Sequence, residues 1–247
     1  MIEWRDEALV LSARAHGESS ALVQLLTREK GRHVGLVRGG QGRQKRPVLQ
    51  TGNLVAVSWK ARLSDHLGTY SLELVTGHAA RFLDDPARLA VLASAAALCE
   101  TLLPEREPHP ACFEGFGALI EALPGDIWAE IYVHWELLLL RELGFGLNLE
   151  TCAAGGDNAQ LAYVSPKSGR AVSLAEGEPY KDRLLPLPPF LIGLSAGGRA
   201  EVSQGLHLTG HFLERHLFHP RDKQLPAARQ RLQQRFFNQQ DSTEDQA

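Results

Sequence analysis

Apolar residues fall in short runs, the clearest alternating at every second position, within the first 77 residues, and recur at every third or fourth position in the segments after them. That change of period constrains the fold more than any other feature of the chain. A strand points successive side chains to opposite faces, so a period of two marks β structure with one face buried. Leu54-Val55-Ala56-Val57-Ser58-Trp59-Lys60-Ala61 alternates plainly, and residues 69–75 alternate through Tyr70, Leu72 and Leu74. Shorter runs at 8–12, 21–27 and 33–38 are separated by the turns His16-Gly17-Glu18-Ser19 and Lys30-Gly31, and the third stops at Gly39-Gly40. Five short strands with glycine-bearing turns predict a small closed barrel, because closure removes the exposed edges of an open sheet.

Beyond Gly77 the spacing is helical. Asp84-Asp85-Pro86 combines acidic caps with a proline in the first turn, where its missing N–H costs nothing. Leu89, Leu92, Ala93, Ala96, Cys99 and Leu103 then share one stripe, ended by Pro104. Phe113, Phe116, Ile120 and Leu123 mark a second helix, and Asp126 is read as the cap of a third over 127–143, closed by Gly144. Residues 151–189 are rich in Gly, Ser and Pro and read as irregular, and helical spacing returns at 189–194, 203–218 and 226–237. Residues 238–247 hold nothing to bury and are expected to be disordered. The fold class is therefore α+β. A five-stranded OB-fold β-barrel is expected at 1–80, followed by a mostly α-helical domain at 81–237 with an irregular insert at 151–189.

The net charge of -3 conceals an asymmetry. Residues 1–80 carry 11 Lys+Arg against 7 Asp+Glu, while the rest of the chain carries 15 against 22. Between Arg28 and Arg46 stand seven basic residues and one acid, Glu29. A polyanionic partner responds to such a cluster more than to the net charge. Arg28, Lys30 and Arg32 flank one turn. Arg38, Arg43, Lys45 and Arg46 bracket the loop Gly39-Gly40-Gln41-Gly42, which reads as too polar and glycine-rich to pack. Lys60 and Arg62 end the fourth strand. Binding of single-stranded DNA needs such cations, together with flat side chains on which bases stack. Trp59 and Tyr70 are the aromatics at hand, but each shares a face with apolar neighbours, so core packing competes with stacking for both.

Two common enzymatic signatures are missing: the chain has no P-loop and no C-x-x-C. No enzyme and no cofactor are expected. His207 and His211 lie four residues apart, as helical metal ligands can, yet Leu208 stands where a zinc hydrolase needs glutamate, so packing or surface roles are expected for both. Cys99, Cys112 and Cys152 are too scattered for a disulfide framework, which fits a reducing compartment. Met1-Ile2-Glu3-Trp4-Arg5-Asp6 has no apolar core, so a cytoplasmic, nucleoid-associated protein with no membrane partner is expected.

Three groups of residues carry a resemblance. Val10-Leu11-Ser12-Ala13-Arg14-Ala15-His16-Gly17-Glu18, Leu22-Val23-Gln24-Leu25-Leu26-Thr27-Arg28-Glu29-Lys30-Gly31 and Val37-Arg38-Gly39-Gly40 resemble the N-terminal domain of the RecO family of recombination mediators. Segments 163–173, 177–180 and 183–188 are similar to one branch of that family, and Gly205-Leu206-His207-Leu208-Thr209-Gly210-His211-Phe212 opens a third matching stretch that ends at His216. The resemblance runs from about residue 2 to about 235. It implies an OB-fold and a helical domain, binding of single- and double-stranded DNA, and annealing of complementary strands. It also implies work with RecR and RecF on DNA coated by single-strand-binding protein, so that RecA is loaded. A groove for the acidic C-terminal tail of single-strand-binding protein is expected on the helical domain.

One departure bears on metal. Many members of the family carry two C-x-x-C pairs in the segment between helices. Here Cys152 is followed at the required spacing by Gly155, and residues 169–183 contain no cysteine. A structural zinc site needs four ligands. No zinc is expected, and Tyr163, Tyr180, Leu184 and Leu185 are expected to order residues 151–189 instead. The alternative reading of the whole chain is a protein-interaction scaffold with little DNA affinity of its own, kept open by the acidic balance after residue 80.

Overall fold

The computed structural model describes residues 1–237; the tail expected to be disordered, 238–247, lies outside the described residues. Five strands form a closed barrel: β1 (Ile2–His16), β2 (Ser20–Thr27), β3 (Gly31–Val37), β4 (Leu54–Ala61) and β5 (Thr69–Thr76). Their order is β1-β2-β3-β5-β4, the connectivity of an OB-fold. Every seam is antiparallel except β3–β5, where Leu36 and Thr69 make a single parallel bridge. The alternation in sequence becomes an interior of Val23, Leu25, Val55, Val57, Trp59, Tyr70 and Leu72.

The first strand is much longer than the expected 8–12. Residues 2–7 pair with β4 from Ile2 opposite Ala61 onward, but their charged side chains hide the strand from a hydrophobic pattern. At its centre the alternation fails for the opposite reason. Ala8, Leu9, Val10 and Leu11 are all buried: Ala8 and Val10 enter the barrel, and helix α1 (Pro86–Leu102) packs against the strand from outside. The Asp85 side chain caps α1 by accepting from the Ala87 and Arg88 amides, with Pro86 in the first turn as the sequence predicts.

Helix α2 (Pro110–Ala122) follows, and the first compact unit runs from Met1 to Ile120. The change from strand to helix near residue 80 and the edge of this unit are thus different places in the chain. The second unit begins at Glu121. Its first helix, α3 (Trp128–Glu142), starts from Ile127 without a side-chain cap, which corrects the capping role read for Asp126.

Residues 151–189 are more ordered than their composition suggests. Strands β6 (Leu161–Val164), β7 (Ala171–Ser173) and β8 (Leu185–Pro186) form a sheet in the order β7-β6-β8, with a short helix α4 (Leu174–Gly177). Strands of two to four residues are too short to register an alternation. Leu161, Val164, Ala171 and Leu187 are buried beneath them. Cys152 fastens the segment: its amide donates to Asn158 Oδ1 at 2.7 Å, and its Sγ accepts from the Ser173 amide at 3.3 Å. Tyr163 donates to Glu178 Oε2 at 2.9 Å and Leu184 and Leu185 are half-buried, whereas Tyr180 is 60% exposed. Helices α5 (Arg199–Leu213) and α6 (Ala227–Phe237) complete the unit, packing with α3 around the buried Glu136, which accepts from Tyr132, Thr209 and Arg229.

Candidate nucleic-acid interface

The barrel register divides the nine basic candidates between the two ends of β1 and does not gather them into one patch. Arg38, Arg43, Lys45 and Arg46 lie on the β3–β4 connection, whose Gln41 amide donates to Ser19 O beside the far end of β1. Arg28, Lys30 and Arg32 lie at the β2–β3 turn, where the Arg28 amide reaches Glu7 O; Lys60 and Arg62 end β4 beside Ile2.

The β3–β4 connection is ordered, which corrects its reading as a loop unable to pack. Gln41 Nε2 donates to Gly17 O at 3.0 Å and Ser20 O at 2.9 Å. The Arg46 amide bonds Gly42 O and the Leu49 amide bonds Lys45 O, both at 3.1 Å, making one helical turn. That turn drives Leu49 and Val48 against the barrel core. Gly40 is required here: a Cβ on it would stand 2.6 Å from Ala21 Cβ. Polar backbone thus packs by finding partners, while the cations point outward. Arg38, Arg43 and Arg46 are exposed, and among the described residues none is held in an ion pair. Lys45 is half-buried, with Nζ 3.5 Å from Leu72 O. A polar cleft of about 310 Å³ lies alongside, lined by Arg14, Gln41, Arg46, Gln50 and Thr51. Arg14 pairs with Glu100 at 2.7 Å yet remains 71% exposed.

The other group is largely engaged within the protein. Arg28 bridges Glu7 and Glu114 and lies 4.7 Å over the Phe113 ring. Arg32 donates Nε to Leu103 O at 2.8 Å and Nη1 to Gln24 Oε1 at 3.1 Å. Lys60 pairs with Glu3 at 3.2 Å. Lys30 is half-buried and Arg62 exposed. Trp59 and Tyr70 are both interior: Trp59 Nε1 donates to Leu67 O at 3.0 Å, and Tyr70 Oη lies 2.8 Å from His33 Nδ1. Burial, with a smaller contribution from the nearby Arg106 charge, depresses the His33 pKa to about 4.

Two residues at this end escaped the sequence reading. Trp4 is half-buried and stacks on Trp59 with ring centroids 5.6 Å apart. The pairing of Trp4 with Trp59 is the only signal that would have found it, and that requires the length of β1. Arg106 arrives from the segment after α1 and donates to the carbonyls of Ser64, Asp65 and His66. Nothing local in the sequence marks it, because the contact is tertiary.

Elsewhere, His211 Nε2 is 3.2 Å from Pro166 O and His207 is exposed. Among the described residues no group of three His, Cys, Asp or Glu could hold a metal ion, and no helix is long and apolar enough to cross a membrane.

Comparison with known proteins covers both units. The family described as Recombination protein O N terminal matches residues 1–78, and Recombination protein O C terminal matches residues 83–226. The DNA repair protein RecO of Rhodospirillum centenum is 62% identical, over 95% of this chain and 95% of its own length. That of Phenylobacterium zucineum is 51% identical over 92% and 95%, and that of Rhodospirillum rubrum 50% over 96% and 97%. With both family halves matched in order, and relatives of this similarity aligned almost end to end, the chain belongs to the RecO family of DNA repair proteins.

Proposed function

We propose that this protein is a DNA-binding recombination mediator that acts through its barrel, residues 1–80. It binds single- and double-stranded DNA, anneals complementary strands and, with RecR and RecF, helps load RecA onto DNA coated by single-strand-binding protein. The observation that carries this reading is the outward trio Arg38, Arg43 and Arg46 on a fixed loop, charged but engaged by no carboxylate among the described residues. Neutralising phosphates on two strands lowers their mutual repulsion, and base pairing then proceeds without bond chemistry. Lys45 lies on the same connection as the trio, and the five cations beside the start of β1 contribute to the extent that phosphate displaces the partners of Arg28, Arg32 and Lys60. A cavity of about 970 Å³ in the second unit supports the tail-binding reading: Leu137, Leu149, Leu191 and Leu194 line it, with Arg141 as its cation and Glu150 as its one acid. An acidic tail with apolar side chains would match that chemistry.

The test is the salt dependence of binding to a labelled oligonucleotide. Each phosphate contact on a single strand contributes a log–log slope of about -0.7. Replacing Arg38, Arg43 and Arg46 together by alanine is expected to flatten the slope by about 2. An unchanged slope removes the loop from the interface. Absence of binding by the wild-type protein favours the scaffold reading, and cleavage of the oligonucleotide with Mg²⁺ would make the protein a nuclease.

A further inference from the structure

The start of β1 ends in an arrangement that barrel stability does not require. Trp4, Trp59 and Tyr70 follow one another across β1, β4 and β5 as direct cross-strand partners. Trp59 and Tyr70 are buried, but Trp4 is only half-covered, and a cavity of about 360 Å³ remains open above the layer. Trp4, Trp59 and His33 line it, together with Lys30, Arg106 and Glu29. His33 sets its ring edge against both tryptophans, 5.0 Å from Trp4 and 5.1 Å from Trp59.

The two cations are held differently. Lys30 is half-buried, and among the described residues no carboxylate neutralises it. Arg106 is fixed by three backbone carbonyls, with Glu105 at 3.5 Å from its Nε, and it occupies a left-handed backbone conformation at φ 64. Flat apolar walls beside fixed positive charge, open to solvent and of a size for one ring system, match an unstacked base and its flanking phosphate. Glu29 is the one acid in the lining, against the two cations Lys30 and Arg106.

We infer that this cavity receives one unpaired base of single-stranded DNA, stacked on Trp4, with the adjoining phosphate on Lys30 and Arg106. The inference rests on the DNA-binding reading above but uses the opposite end of β1 from the arginine loop. It gives the protein a means to prefer unpaired bases that charge alone cannot supply.

The experiment compares full-length protein binding to an oligothymidylate and to an abasic oligomer of the same length and charge. Stacking of one base is expected to favour the thymidylate by about fivefold to a hundredfold. Trp4→Leu should abolish that preference and leave the salt slope intact, whereas the triple arginine variant should lose slope and keep the preference. Equal binding of both oligomers by wild type, with a normal salt slope, overturns the base site alone; no binding of either overturns both readings. Independently of any variant, an oligomer carrying 5-iododeoxyuridine should photocrosslink to the wild-type tryptic peptide 1–5 at Trp4. Crosslinks confined to other peptides overturn the assignment.

Discussion

His33 shows how much a single buried group can set the conditions under which the barrel holds together. Its imidazole sits among Trp4, Trp59 and Tyr70, and its pKa lies at about 4, below the ordinary 6.5. Between pH 6.5 and 4 the unfolded chain takes up a proton that the folded barrel refuses. Stability contributed by the neutral ring is therefore complete above pH 6.5 and is lost as pH falls towards 4. His33→Gln should leave a shallower dependence of the urea midpoint on pH across that window. The same slope in variant and wild type would show that another group governs acid sensitivity. The buried Glu136–Arg229 contact is a different kind of residue-scale constraint, since removing either partner strands a charge in the core of the second unit.

At the level of elements, the β3–β4 connection is where backbone fit and function meet. Its turn lies on β2 because position 40 has no side chain. Gly40→Ala should therefore cost about 1–3 kcal/mol by overpacking against Ala21. Ala21→Gly in the same chain should recover most of the loss, and urea denaturation of both variants checks this. Failure of the second change to rescue the first would mean that the connection is held from elsewhere. This element also marks the limit of what the sequence reveals. Two of the five barrel strands, β4 and β5, announce themselves by plain alternation and the others by short apolar runs between glycine-bearing turns, and α1 announces itself by its stripe and its Asp85-Pro86 start. What stays hidden depends on partners distant in sequence: the charged half of β1, the packed turn at 45–49, the short strands after Cys152 and the arrival of Arg106. The basic candidates were legible as residues but not as a surface, because only the register shows that Arg28 and Arg32 are tied to Glu114 and Leu103 O while Arg38, Arg43 and Arg46 are not.

The whole molecule carries its own probes of opening. Cys99 and Cys112 are buried in the first compact unit, and Cys152 lies in the second. Burial pushes the Cys99 thiol up. Burial also acts to raise Cys152, but hydrogen bonds from Ser173, Ala154 and Gly156 outweigh it and hold that thiol below its usual value. A thiol reagent should therefore modify Cys152 first under native conditions, and Cys99 and Cys112 only when the first unit opens. Mass spectrometry of timed samples resolves the order; modification of Cys99 as fast as Cys152 would contradict it.

The closure of the barrel has a mechanical consequence. Eight residue pairs join β1 to β4, whereas one bridge, between Leu36 and Thr69, joins β3 to β5. Bonds loaded together share a force, and here the backbone bridge has only the His33–Tyr70 side-chain contact to share it with. The barrel is a bracelet with one clasp: stretched, it parts between β3 and β5 and unrolls into a curved ribbon whose four longer seams remain zipped.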